Sequence, residues 1–97
     1  MKNIGEDMHD LMRELFPICR SLTGDGVRET LKVLKNHIPL KTYEVSSGTK
    51  VFDWEVPNEW NINDAYIMDE KGNKVIDFKK NNLHVVSYSM PVNKKIS

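Results

Sequence analysis

The stretch that decides the fold is VRETLKVLKNHIPLKTYEV, residues 27–45, in which the hydrophobic period changes at Pro39. Before the proline, apolar residues recur at the spacing of one helical face. These residues are Val27, Leu31, Leu34 and Ile38. After the proline, residues 40–45 alternate between apolar and polar side chains, which predicts a strand. We therefore expect a helix that is followed directly by β structure.

A second amphipathic helix is predicted ahead of this stretch. Its apolar face consists of Ile4, Met8, Leu11, Met12 and Leu15. Pro17 is expected to end or kink this helix, because proline lacks a backbone N–H group. Residues 21–26 have the composition of a turn, and they lead into the helix that begins the opening stretch. Asp25 is the expected N-cap of that helix, since its carboxylate can accept backbone N–H groups of the first turn.

The second half of the chain has the pattern of short strands. Residues 51–56 predict a strand that places Phe52, Trp54 and Val56 on one face. Residues 65–68 and 74–78 flank a polar turn and predict a hairpin, in which Gly72 is expected to adopt the left-handed conformation. Residues 83–90 predict a last strand. The expected fold class is α+β, with two N-terminal helices followed by β-strands and a hairpin.

Composition narrows the class of protein. A folded chain of 97 residues and 11.3 kDa should expose about 5,700 Å² of surface, which allows one modest core. Lys+Arg 14 and Asp+Glu 14 balance to a formal charge of +0, without the basic excess typical of nucleic-acid binding. No apolar run is long enough to span a membrane, and the acidic start does not resemble a signal peptide. Cys19 is the one cysteine and cannot form an internal disulfide, so we expect a cytoplasmic location.

The glycine-rich segment Gly24-Asp25-Gly26 invites comparison with phosphate-binding loops. A Walker loop needs Gly-Lys-Ser/Thr after a strand, whereas here Arg28 follows and a helix precedes. Glu29 occupies the place of the third glycine in the dinucleotide fingerprint. The interpretation we favour is a loop that reverses the chain into a capped helix.

Other residues whose side chains can serve in catalysis or metal binding lack the partner residues that such sites need. His9, His37 and His84 lie in different predicted elements and show no zinc-binding spacing, so solvated or hydrogen-bonded histidines are favoured over ligands. Cys19 follows an apolar helix end, where a small buried side chain is more common than a nucleophile. Trp54 and Trp60 could stack on sugars or peptides, but anchoring a core is the more common role of tryptophan. The residues themselves thus predict no catalytic, cofactor-binding or metal-binding site.

Three long motifs nevertheless resemble one known family. They are LFPICRSLTGDGVRETL at residues 15–31, GTKVFDWEVPNEWNI at residues 48–62, and DAYI with KKNNLHVVSYS at residues 64–67 and 79–89. This order is similar to the opening of bacterial aminopeptidase-like proteins, a family of domains of unknown function on a zinc-aminopeptidase scaffold. The resemblance covers nearly the whole chain.

The resemblance implies an incomplete front part of an α/β zinc-aminopeptidase-like fold. Residues 1–47 would supply its helical start, with two helices and the first strand, and residues 48–97 the beginning of an inserted β-rich region. A full-length relative would be a zinc-dependent peptide or amide hydrolase, a metallopeptidase whose metal ligands lie beyond the part matched here. The implied partner is the downstream catalytic region of the same protein, and a homo-oligomer is left open; nucleic acid and membrane are not expected. The alternative is a stand-alone β-rich interaction or ligand-binding module without catalysis.

Overall fold

The computed structural model describes residues 3–97 and shows two helices followed by short antiparallel strands. The helices are α1, Ile4–Leu15, and α2, Asp25–Leu34; the strands are β1, Lys50–Val51, β2, Trp54–Glu55, β3, Tyr66–Met68, and β4, Lys74–Asp77; a 3-10 turn covers Asn82–His84. The chain divides into two compact units, one ending at Ile62 and the other covering Asn63–Ser97. The α+β fold class is therefore confirmed. The predicted boundary between residues 47 and 48 concerns the plan of a longer protein and stays a prediction.

Helix α1 begins with a capping box. The Asn3 side-chain oxygen accepts a hydrogen bond from the Glu6 backbone N–H at 2.8 Å, and the Asn3 backbone N–H donates to Glu6 Oε2 at 3.3 Å. Both bonds satisfy N–H groups that have no partner inside the helix. The helix ends at Leu15, two residues before Pro17, as predicted.

Helix α2 is present as predicted, but its N-cap is Gly24 and not Asp25. Asp25 is already the first helical residue. Its carboxylate accepts a hydrogen bond from the Arg28 guanidinium, and its backbone N–H donates to Asn61 Oδ1. The prediction of Asp25 as the N-cap was wrong because the helix begins one residue earlier than expected.

Two predicted strands of the first unit take a different form. Within residues 3–97, residues 40–45 have no strand partner and form no strand. The predicted strand 51–56 is instead a tight hairpin, because Phe52 adopts a φ of 57° and reverses the chain between β1 and β2. The backbone N–H of Gly48 donates to the carbonyl of Val56 at 2.8 Å and extends the pairing beyond the strands.

The hairpin of the second unit is confirmed. Strands β3 and β4 pair in antiparallel register with Ile67 opposite Ile76, and an irregularity follows Ile67. Gly72 has a φ of 86°, so the left-handed conformation predicted for it is confirmed. The predicted strand at 83–90 was wrong. Asn81 accepts a hydrogen bond from the Leu83 backbone N–H at 3.0 Å and starts the 3-10 turn there.

Neither unit buries an apolar side chain among residues 3–97. The accessible surface is 8759 Å², against about 5,700 Å² for a folded monomer of this mass. Large exposed apolar side chains come from α1 and its C-cap, from the segment after α2 and from both hairpins. They include Ile4, Met8, Met12, Phe16, Ile38, Phe52, Trp54, Ile67, Met68, Val75 and Ile76. No helix in the described part of the chain has the length and apolar character needed to cross a bilayer.

Candidate functional site

The loop at residues 21–26 is held by a segment nearly forty residues further along the chain. Ser21 Oγ lies 2.7 Å from the carbonyl oxygen of Thr23 and 3.0 Å from that of Trp60, so its proton is shared between them. The backbone N–H of Trp60 donates to the Thr23 carbonyl at 3.1 Å. The side-chain oxygen of Asn61 accepts from the Asp25 backbone N–H at 2.8 Å and thereby caps α2.

Both glycines of this loop are required by close approach of the backbone. Gly24 is buried and has a φ of 149°, and a Cβ atom there would lie 2.6 Å from the Trp60 carbonyl oxygen. At Gly26 a Cβ atom would lie 1.9 Å from the Cys19 carbonyl oxygen. The first N–H of α2, which a phosphate-binding loop would offer to an anion, is already bonded to Asn61. The structure thus confirms the interpretation of a loop that reverses the chain into a capped helix.

Arg28 connects three carboxylates around the start of α2. Its guanidinium donates from Nη1 to Asp25 Oδ1 at 2.9 Å and to Glu59 Oε1, and from Nε to Glu44 Oε1 at 3.3 Å. The hydrogen bond to Glu59, followed by that to Glu44, raises the pKa of Arg28, and the bond from Arg28 lowers the pKa of Glu59. Because these groups are exposed, water screens the electrostatic attraction between Arg28 and the carboxylates. We interpret the cluster as a link between α2 and the segments that carry Glu44 and Glu59.

The three histidines lie in different elements of the chain. His9 lies on α1, with Nδ1 at 3.4 Å from Arg13 Nη2; His37 follows α2, and His84 ends the 3-10 turn. In the part of the chain that the structure describes, no three His, Cys, Asp or Glu side chains are grouped so that they could hold a metal ion. Cys19 is a free, half-buried thiol.

The two tryptophans differ in their surroundings. Trp54 lies on β2 and is 59% exposed, so it anchors no core among residues 3–97. Trp60 is half-buried and contacts the loop at residues 21–26 through its backbone N–H and carbonyl groups.

Neither the role of Asn61 nor the capping box of α1 was predicted from the sequence. The spacing of Asn3 and Glu6 is a recognisable capping signal that could have been used. Asn61 carried no such signal, because it caps a helix that begins 36 residues earlier.

Comparison with known proteins gives the family. The family model described as a domain of unknown function, DUF4910, matches residues 9–95. The chain belongs to the DUF4910 family. A relative from Clostridium acetobutylicum, provisionally named a polysaccharide biosynthesis protein with an aminopeptidase-like domain, is 62% identical over 93 residues. That match covers 96% of this chain and 21% of the relative.

A solved structure is also similar to this chain. The crystal structure of a protein from the same organism, provisionally named a peptidase, matches with a TM-score of 0.88 and 64% identity. The match covers 93% of this chain and 21% of that protein. The resemblance to aminopeptidase-like proteins is therefore confirmed, and this DUF4910 chain spans about one fifth of the length of the relatives that it matches.

Proposed function

We propose that this chain is the front, structural part of a zinc-dependent aminopeptidase-like hydrolase. The observation that carries the proposal is 62% identity, over nearly the whole chain, to a protein named for an aminopeptidase-like domain. The reaction of the whole protein would be hydrolysis of a peptide or amide bond next to a free amino group. The role of α1, α2 and the loop at residues 21–26 would be to build the scaffold.

The residues of this chain do not by themselves fit a zinc site. Among residues 3–97, no three His, Cys, Asp or Glu side chains are grouped so that they could hold a zinc ion. We therefore assign no catalytic step to these residues. The zinc ligands of the proposed hydrolase would come from the downstream region.

A chimera tests this proposal. In the chimera, this chain replaces the matched segment of the C. acetobutylicum relative, so that the whole protein is present. We expect the chimera to hydrolyse aminoacyl amides, to lose activity on treatment with a chelator, and to regain it with zinc. The 97-residue chain should be inactive under the same conditions. Hydrolysis by the 97-residue chain alone, or an inactive chimera beside an active relative, would contradict the proposed role.

The alternative is an interaction module, and the β1–β2 hairpin favours it. Phe52 lies at the tip of the hairpin with its ring fully exposed, and Trp54 on the next strand is also exposed. Exposed aromatic rings are common contact surfaces for sugars and peptides. Binding of a soluble oligosaccharide by the 97-residue chain, lost in Trp54→Ala and retained in Val75→Ala, would support this function.

A further inference from the structure

Helix α1 carries a row of exposed apolar side chains. Ile4, Met8 and Met12 follow one another at intervals of four residues and are 78%, 60% and 58% exposed. Residues four apart lie above one another on a helix, so the row is about 12 Å long. Leu11 and Leu15 of the same helix are half-buried. We call Ile4, Met8 and Met12 the α1 row.

The helix that carries the α1 row is stabilised by interactions within the helix itself. The capping box of Asn3 and Glu6 satisfies N–H groups at the helix start, next to Ile4. Glu6 and Asp7 in the first turn and Arg13 in the last turn agree with the helix dipole. The α1 row is therefore a preformed surface. In this chain its apolar side chains are exposed to water.

The size of the uncovered surface indicates what covers it. The chain exposes 8759 Å², which exceeds the area of a folded monomer of this mass by about 3,000 Å². A partner in a stable dimer of standard size covers only about 800 Å² on each chain. The relatives, in contrast, are almost five times as long as the segment that matches them. An excess of this size fits the interior packing of a larger domain better than a dimer interface.

We propose that the α1 row packs against the downstream part of the same polypeptide and forms part of the interior of the whole protein. The inference rests on the proposed function in that it requires a longer protein, but it makes no claim about the chemistry. Unbranched methionine side chains at Met8 and Met12 adapt readily to the shape of a facing surface. A second copy of the chain is the competing occupant.

The test compares two variants, one with a lysine in the α1 row and one with a lysine on the opposite side of α1. Met12→Lys introduces a charge into the row, and Glu14→Lys is the matched control, since two helical steps turn by about 200°. Lysine has nearly the helix propensity of methionine, so helix formation is retained. Each variant is made in the chimera and in the 97-residue chain.

Met12→Lys should have different effects in the chimera and in the 97-residue chain. In the chimera, Met12→Lys should lower the apparent melting temperature by about 2 °C or more and accelerate proteolysis within residues 3–97, because the charge meets an apolar interior. In the 97-residue chain, the same change should reduce self-association and binding of a hydrophobic dye. Glu14→Lys should have neither effect.

Other outcomes would overturn the inference. A defined dimer of the 97-residue chain and of the chimera, both dissociated by Met12→Lys, would show that a second copy occupies the row. Equal effects of Met12→Lys and Glu14→Lys in the chimera would show that the row stays in water. A chimera that is stabilised by the row but hydrolyses nothing would contradict the proposed function alone. An active chimera that tolerates Met12→Lys would contradict this inference alone.

Discussion

Replacing Gly26 with alanine tests the close approach of its backbone to the Cys19 carbonyl group. The new Cβ atom would lie 1.9 Å from the Cys19 carbonyl oxygen and 2.8 Å from the Cys19 carbonyl carbon. Ordinary van der Waals contact begins at 3.4 Å, so the new Cβ atom and the Cys19 carbonyl oxygen would have to separate by about 1.5 Å. Such a shift of the backbone is typical of an overpacked site. A backbone carbonyl cannot rotate away as the end of a flexible side chain can.

The magnitude follows from two opposing terms. Alanine in place of glycine inside a helix stabilises by about 1 kcal/mol. Overpacking of a close contact costs about 1–3 kcal/mol, and more where backbone atoms collide. We expect a net loss of about 2 kcal/mol, which corresponds to about a thirtyfold change in the local opening equilibrium.

Amide hydrogen exchange in α2 measures this change locally. In Gly26→Ala the amides of α2 should exchange about thirtyfold faster than in the unchanged chain. Gly5→Ala is the matched control, because it is the same change in α1 and its Cβ would meet only the Asn3 side-chain oxygen at 3.2 Å. That control should leave α2 unchanged. Unchanged or slower exchange in α2 of Gly26→Ala would refute the close approach to Cys19.

Four further predictions concern the cap of α2, the turn and the pH dependence of the second hairpin, and metal. Asn61→Ala should destabilise the start of α2 by about 1 kcal/mol, seen as faster amide exchange in its first turn, whereas Asn61→Asp keeps the acceptor and should not. Gly72→Val should cost the β3–β4 hairpin about 1–2 kcal/mol in urea unfolding, because a β-branched residue resists its positive φ; an unchanged midpoint would contradict this. Hydrogen bonding from Asn73 lowers the pKa of Asp69 in the folded hairpin. The stability that the ionised Asp69 adds is therefore fully present above an ordinary Asp pKa of about 3.9 and is lost as the pH falls through the lower pKa of the folded state. NMR at decreasing pH can follow this loss. After dialysis, elemental analysis of the 97-residue chain should find no stoichiometric zinc; one tightly bound zinc per chain would contradict the scaffold role.

The helices and the second hairpin could be predicted because short-range rules determine them. The spacing of Met8 and Met12, or of Leu31 and Leu34, is a property of one helix. The turn from Asp69 to Asn73 is closed by hydrogen bonds between residues that are at most four apart. Such elements require no information about the rest of the protein.

The strands of the first unit, and the contacts that hold the loop at residues 21–26, depend on partners that cannot be identified from local sequence patterns. Residues 40–45 alternate like a strand, but a strand exists only where another chain segment accepts its hydrogen bonds. The reversal at Phe52 placed a turn inside a run that looks continuous. The three long motifs were sufficient to predict the family, because they depend only on the order of residues. Tertiary structure alone decided that Gly24 must be a glycine and that Asn61 caps α2, since both follow from the approach of a segment 36 residues away from the helix start.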